Sequence, residues 1–92
     1  MKDYYLVLDV ESDAALTEIK TAFRQKASLY HPDKNASHDA ADKFREIKAA
    51  YDTLSVEEKR AAYDENRRRN LLDNLLQTAR EIWTNYIQGV LH

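Results

Sequence analysis

The sequence predicts an all-α fold, and three observations lead there. One glycine and one proline stand in 92 residues. No Asn-Gly or Asp-Gly pair occurs, so β-hairpins have little turn chemistry to use. Ala, Leu, Glu, Lys, Arg and Gln dominate, and these are the strong helix formers. Apolar residues recur at spacings of three and four along most of the chain. The length suits a single small helical domain.

The elements follow in order. Tyr4, Tyr5, Leu6, Val7, Leu8 and Val10 form a first apolar run, too short for an isolated helix. It reads as a brief helix or extended arm held by tertiary packing. In the next run Leu16, Ile19, Phe23, Ala27 and Tyr30 share one helical face, with Lys20, Thr21, Arg24, Gln25 and Ser28 on the other. Asp13 is the first candidate for its N-cap and Ser12 the second. Pro32 ends that helix, because the residue before proline leaves the α region. Residues 33–39, rich in Asp, Asn and Ser, read as a loop.

A third helix is carried by Ala40, Phe44, Ile47, Tyr51 and Leu54. The second and third helices are long enough to pair antiparallel, with Phe23 and Phe44 helping to close the core. Ser55-Val-Glu-Glu58 has capping-box form and predicts a fourth helix from about Val56. Residues 71–91 then form a strongly amphipathic helical block. Leu72, Leu75, Ala79, Ile82, Tyr86 and Val90 share its stripe, widened by Leu71, Leu76, Trp83 and Ile87. The domain reading is 1–65 for the core module and 66–92 for an amphipathic extension.

Charge and motifs exclude several functions. The net charge of −2 divides into −4 over residues 1–65 and +2 over 66–92, neither of which suits a nucleic-acid binder. Arg67, Arg68 and Arg69 lack interleaved aromatics and read as a solvated helix face. With no cysteine, there is no disulfide and no Cys-based zinc or redox site. His31 and His38 lie near Asp33 and Asp39, but their spacing fits no usual metal-ligand pattern. His92 is terminal and reads as mobile. No phosphate loop, nucleophile elbow or metalloprotease motif is present, so neither an enzyme nor a cofactor is expected. The opening residues lack a signal-peptide core and no run reaches 18 apolar residues. A soluble, cytoplasmic protein is the expectation.

The segment Leu29-Tyr-His-Pro-Asp-Lys-Asn35 holds the only proline. On its own it is a good helix stop. Its surroundings change that reading. Asp3-Tyr4-Tyr5 with Leu8, Glu18-Ile19-Lys20, Ala22-Phe23-Arg24, His31-Pro32-Asp33-Lys34, Phe44, Ile47, Ala50-Tyr51, Leu54-Ser55, Lys59-Arg60 and Tyr63-Asp64 occur in order. Together they resemble the J domain of DnaJ (Hsp40) co-chaperones over about residues 1–65. The resemblance implies an antiparallel finger of the second and third helices with short first and fourth helices. It also implies binding to an Hsp70-type chaperone and stimulation of that partner's ATP hydrolysis. The expected contact residues are His31, Pro32 and Asp33 with Lys34 and Asn35, together with Lys20, Arg24 and Lys26 of the second helix.

This sequence departs from the family where Asp9 replaces a common glycine. Thr21, Gln25 and Leu29 occupy positions that are often basic, and Lys26 a usually apolar one, its stem expected along the core. The binding face is therefore thinner than usual. The extension has no counterpart in the resemblance. Leu72, Leu75, Leu76, Ala79, Ile82, Trp83, Tyr86 and Ile87 form its expected interaction face. Packing within the chain or pairing with a second copy ranks ahead of a second protein partner, and a membrane surface ranks below both. The competing reading is a J-like adaptor or oligomerisation module that acts mainly through this last helix.

Overall fold

The computed structural model describes residues 2–91, and the whole molecule measures 63 × 32 × 16 Å. Met1 and His92 lie outside the described residues, so the reading of His92 has no structural counterpart. Four helices follow one another: α1 (Tyr4–Leu8), α2 (Leu16–Tyr30), α3 (His38–Leu54) and α4 (Glu57–Leu91). There is no strand among the described residues, as the turn-poor composition predicts.

The first apolar run is a helix, and Asp3 begins it. Its Oδ1 accepts from the amides of Tyr5 at 3.0 Å and Leu6 at 3.3 Å, satisfying two otherwise orphaned donors. Asp9 closes the helix with φ 59° and ψ 46°, the one positive φ among the described residues. The Asp9 amide donates to Leu6 O at 3.0 Å and the Val10 amide to Tyr5 O at 2.9 Å. The helix thus ends in the left-handed way that glycine usually serves. Aspartate tolerates this conformation better than most residues, so the missing glycine leaves the turn intact at some strain.

Neither Asp13 nor Ser12 caps α2. The helix starts at Leu16 behind Ala15, which makes no side-chain cap. Arg60 does the anchoring instead. Its guanidinium donates to the carbonyls of Ser12 at 3.2 Å and Ala14 at 2.7 Å. A long-range tether therefore replaces a local cap. The start of α3 also differs from expectation: residues 33–39 are not all loop, because His38 and Asp39 form its first turn behind Ser37. Ser55 ends α3 rather than capping α4, and Val56 precedes the next helix.

The core is built from every element. Tyr5, Leu8, Ile19 and Leu54 are fully buried, with Ile47, Ala50 and Tyr63 beside them. Burying each large aliphatic side chain contributes about 1.5–3 kcal/mol. Phe23 stacks on Tyr51 with ring centres 4.2 Å apart, pinning α2 to α3 in the expected antiparallel finger. Phe44 does not join that core. It packs near the tip, edge-on to His31.

Tyr63 joins α4 to the start of the chain. Its hydroxyl accepts from the Tyr4 amide at 2.8 Å and donates to the Lys2 carbonyl at 2.7 Å. Its ring stacks on Tyr4 at 5.0 Å. Tyr5 OH donates to Asp64 and accepts from Arg60 Nε at 3.1 Å. Arg67 pairs with Asp3 at 3.1 Å.

The predicted short fourth helix and the extension are one continuous helix of 35 residues. The residue 65/66 boundary falls inside it. No glycine or proline interrupts the junction, and Glu65 bridges to Arg68 at 2.8 Å and Arg69 at 3.2 Å across one turn. The Arg68 hydrogen bond holds the Glu65 carboxyl below its usual pKa. Beyond Asn70 the side chains are exposed, except for half-buried Ile87 and the undescribed Leu91 side chain. At ~100° per residue, the stripe of Leu72, Ala79, Tyr86 and Val90 lies about 140–180° around the axis from Tyr63. One face of α4 holds the domain while the opposite face carries the apolar stripe. A straight helix cannot bury both on the same body.

Asp9→Gly removes the left-handed strain without disturbing the capping bonds. We expect it to stabilise the fold by about 0.5–1 kcal/mol in urea unfolding. Burial raises the pKa of both Tyr5 and Tyr63 above the ordinary value of 10.0, with the Asp64 hydrogen bond adding to the effect at Tyr5. The neutral phenols are favoured in the folded state, so their contribution is full below about pH 10. It is lost as pH rises through the higher folded values. Phenolate absorbance should show these two ionising above pH 10.0, together with unfolding.

Candidate functional site

The tip of the α2–α3 finger is a tight turn held by its own hydrogen bonds. His31 ends α2 with φ −62° and ψ 132°, the extended backbone that a following proline demands. Its carbonyl accepts from the amides of Lys34 and Asn35, both at 2.9 Å. Its Nδ1 accepts from the Asp33 amide at 3.2 Å. The imidazole meets the Phe44 ring edge-on, centres 5.4 Å apart. His31 is thereby oriented from both sides.

Asn35 closes the turn. Its Nδ2 donates to Leu29 O at 3.3 Å and its Oδ1 accepts from the Ser37 amide at 3.1 Å. One side chain thus joins the last turn of α2 to the residue preceding α3. Asp33 is the opposite case: its side chain is 90% exposed, and its Oδ2 lies 3.7 Å from His31 Nδ1. It is presented to solvent with most of its acceptor capacity open. Lys34 is exposed beside it.

The basic residues of α2 do not form one group. Lys20 and Arg24 are exposed, one turn apart, and neither pairs with a carboxylate among the described residues. Lys26 is half-buried and lines a hollow with Val7, Tyr30, Lys43, Glu46 and Ile47. It lies about 120–160° around the helix from the other two. Its stem follows the core, as its position in the apolar pattern indicates. Leu29 is exposed just before the tip and adds an apolar spot there. The support given by Phe44 and Asn35 was not legible as geometry in the sequence. The only signals were the turn preference of Asn and an aromatic on the apolar face of α3. No group of His, Asp and Glu able to hold a metal occurs among the described residues. The apolar residues of the extension form an exposed face on α4, far along the chain from the tip.

A compact set of helices, two of which form a finger ending in an ordered His-Pro-Asp turn, defines the J-domain class of fold. The solution structure of the J domain from human DnaJ subfamily C member 12 superimposes with a TM-score of 0.70 at 32% identity, covering 76% of this chain and 63% of that one. The chain belongs to the DnaJ-domain family, whose model matches residues 3–64. The chaperone protein DnaJ of Geobacillus thermodenitrificans is 56% identical over 63 residues, which is 68% of this chain and 16% of that protein. Chaperone protein DnaJ of Rickettsia typhi is 54% identical over 63 residues, 68% of this chain and 17% of that protein. The chain thus matches only about a sixth of the length of these relatives. The family match ends at residue 64, inside α4.

Asn35→Ala removes both bonds that join Leu29 to Ser37. We expect a loss of about 1–3 kcal/mol in denaturant unfolding, at 0.5–1.5 kcal/mol per hydrogen bond. Faster amide exchange at Ser37 would accompany it and checks that the loss is local.

Proposed function

We propose that this chain is a co-chaperone module that binds an Hsp70-type chaperone and stimulates its ATP hydrolysis. Contact is made through the His31–Pro32–Asp33 turn and the Lys20–Arg24 face of α2. The observation that carries this reading is the tip itself: a prefolded turn that leaves the Asp33 carboxylate open to solvent. An exposed carboxylate accepts charge-assisted hydrogen bonds from a partner arginine. A turn already closed by its own bonds loses little freedom on docking. His31, held against Phe44, offers one ring edge at the same surface.

Lys20 and Arg24 supply the long-range part. Both are exposed and make no ion pair among the described residues, so they attract an acidic partner surface before contact. Two charges give modest steering that is weakened by salt. Lys34 flanks the turn and adds a third cation. Lys26 contributes through packing against α3 rather than through this face. The module acts as an activator: it favours one conformational state of the partner, and the hydrolytic groups belong to that partner.

Single-turnover ATP hydrolysis by a cognate Hsp70 tests the proposal. Asp33→Asn should reduce stimulation about 10- to 100-fold, the worth of a charge-assisted hydrogen bond of roughly 1.5–3 kcal/mol. Full stimulation by this variant refutes it. In the same assay the concentration for half-maximal stimulation should rise several-fold from low to high salt. An unchanged value removes Lys20 and Arg24 from the interface.

A further inference from the structure

We infer that the chain pairs with a second copy of itself through the free half of α4, antiparallel, with a two-fold axis at Ala79. The starting point is an apolar face with nothing on it. Trp83 and Tyr86 are each 62% exposed and stack on one another at 5.8 Å. At 150–250 Å² per aromatic side chain, these two alone expose about 200–300 Å². With the leucines, Ile82 and Val90 the face reaches on the order of 500–800 Å². Ordinary monomer surfaces carry patches of a few hundred Å². A standard interface takes about 800 Å² from each partner.

The described residues cannot fold back over this face. Tyr63 fixes the opposite side of α4 to the domain, and no break in the helix would let the stripe turn back. An anionic membrane has little to attract it, since Arg80 is the one basic residue from 71 to 90. A strongly charged protein partner has little to grip, because Asp73, Arg80 and Glu81 are the only charges in that stretch.

A second copy fits because the pattern is its own complement. Apolar residues lie three, four, seven and eight positions from Ala79 on both sides. A two-fold axis at Ala79 sets Leu76 against the partner's Ile82, and Leu75 against the partner's Trp83. Leu72 then meets the partner's Tyr86. Leucines face aromatic rings at two of these pairs and an isoleucine at the third, and the small Ala79 side chains at the axis permit the 8–10 Å helix separation of close packing. No like charges meet: Asp73 faces the partner's Asn85, Arg80 the partner's Thr78 and Glu81 the partner's Gln77. A parallel pair would set each of these charges against itself. The two domains leave the pair at opposite ends, with the Tyr63 positions about 50 Å apart at ~1.5 Å per residue. Both finger tips stay free for separate partners.

The absence of cysteine makes the test direct. Sedimentation of the full chain from about 1 to 100 μM, the range of a transient pair, should show a monomer–dimer equilibrium. Emission from Trp83 should shift to the blue as dimer forms. A short bismaleimide should join Ala79→Cys chains to each other. It should not join Leu72→Cys chains, whose equivalent positions lie about 21 Å apart along the pair. A mixture of Leu72→Cys and Tyr86→Cys chains should cross-link. Ala79→Glu places like charges at the axis and should weaken dimerisation at least tenfold, with helix content by circular dichroism unchanged. Leu72→Cys self-cross-linking as efficient as that of Ala79→Cys would overturn the antiparallel pair in favour of a parallel one. A chain that stays monomeric throughout this range overturns self-association. If Trp83 of that monomer responds to anionic vesicles, the face belongs to a membrane surface.

Discussion

Tyr63 holds the two ends of the folded domain together, and most of the molecule's geometry follows from it. Its hydroxyl bridges the Tyr4 amide and the Lys2 carbonyl, while its ring stacks on Tyr4. This contact closes α1 and α4 over the base of the finger. It also decides which side of α4 faces inward. Because α4 continues without a break, that single choice turns the stripe of Leu72, Ala79 and Tyr86 outward about 14–35 Å further along, at ~1.5 Å per residue. Domain closure and exposure of the extension are thus two results of one docking contact.

Arg60 extends the same logic to the other end of α2. Its guanidinium lies 5.6 Å from the Tyr5 ring and holds the carbonyls of Ser12 and Ala14. A helix start that lacks a side-chain cap is fixed from a residue 46 positions away. The finger is then stiffened along its length by Phe23 on Tyr51 and by Lys43 over Tyr30. At its far end Phe44 and Asn35 hold the turn. The tip is therefore rigid because of its supports, and Asp33 is the part of it left open.

Much of this was legible in the sequence. Residues 16 to 30 show the α2 apolar face, and Pro32 marks where it must stop. The inward lean of Lys26 followed from its place in that pattern. The caps were less legible. Asp13 and Ser12 are good capping residues, yet the chain enters α2 at Ala15, because Arg60 sets the path by tertiary bonds. Ser55-Val-Glu-Glu58 has the form of a capping box, but Ser55 completes α3, its amide bonding back to Tyr51. Local preference placed these residues near helix ends, and competing long-range contacts chose which end each one serves.

By itself, the sequence determined the helical class, the finger, its proline stop and the ordered residues that carry the family likeness. Spacing and backbone chemistry suffice for those, since they act over a few residues. Only the tertiary structure decided three further matters. The last two helical blocks are one helix, because the Glu65 pairs stitch the junction and nothing breaks it. Asp9 serves where a glycine is usual, because its left-handed backbone is held by two amide bonds to α1. The apolar stripe of α4 faces away from the domain, because rotation about a helix axis is set where Tyr63 docks. Periodicity fixes which residues share a face but not where that face points.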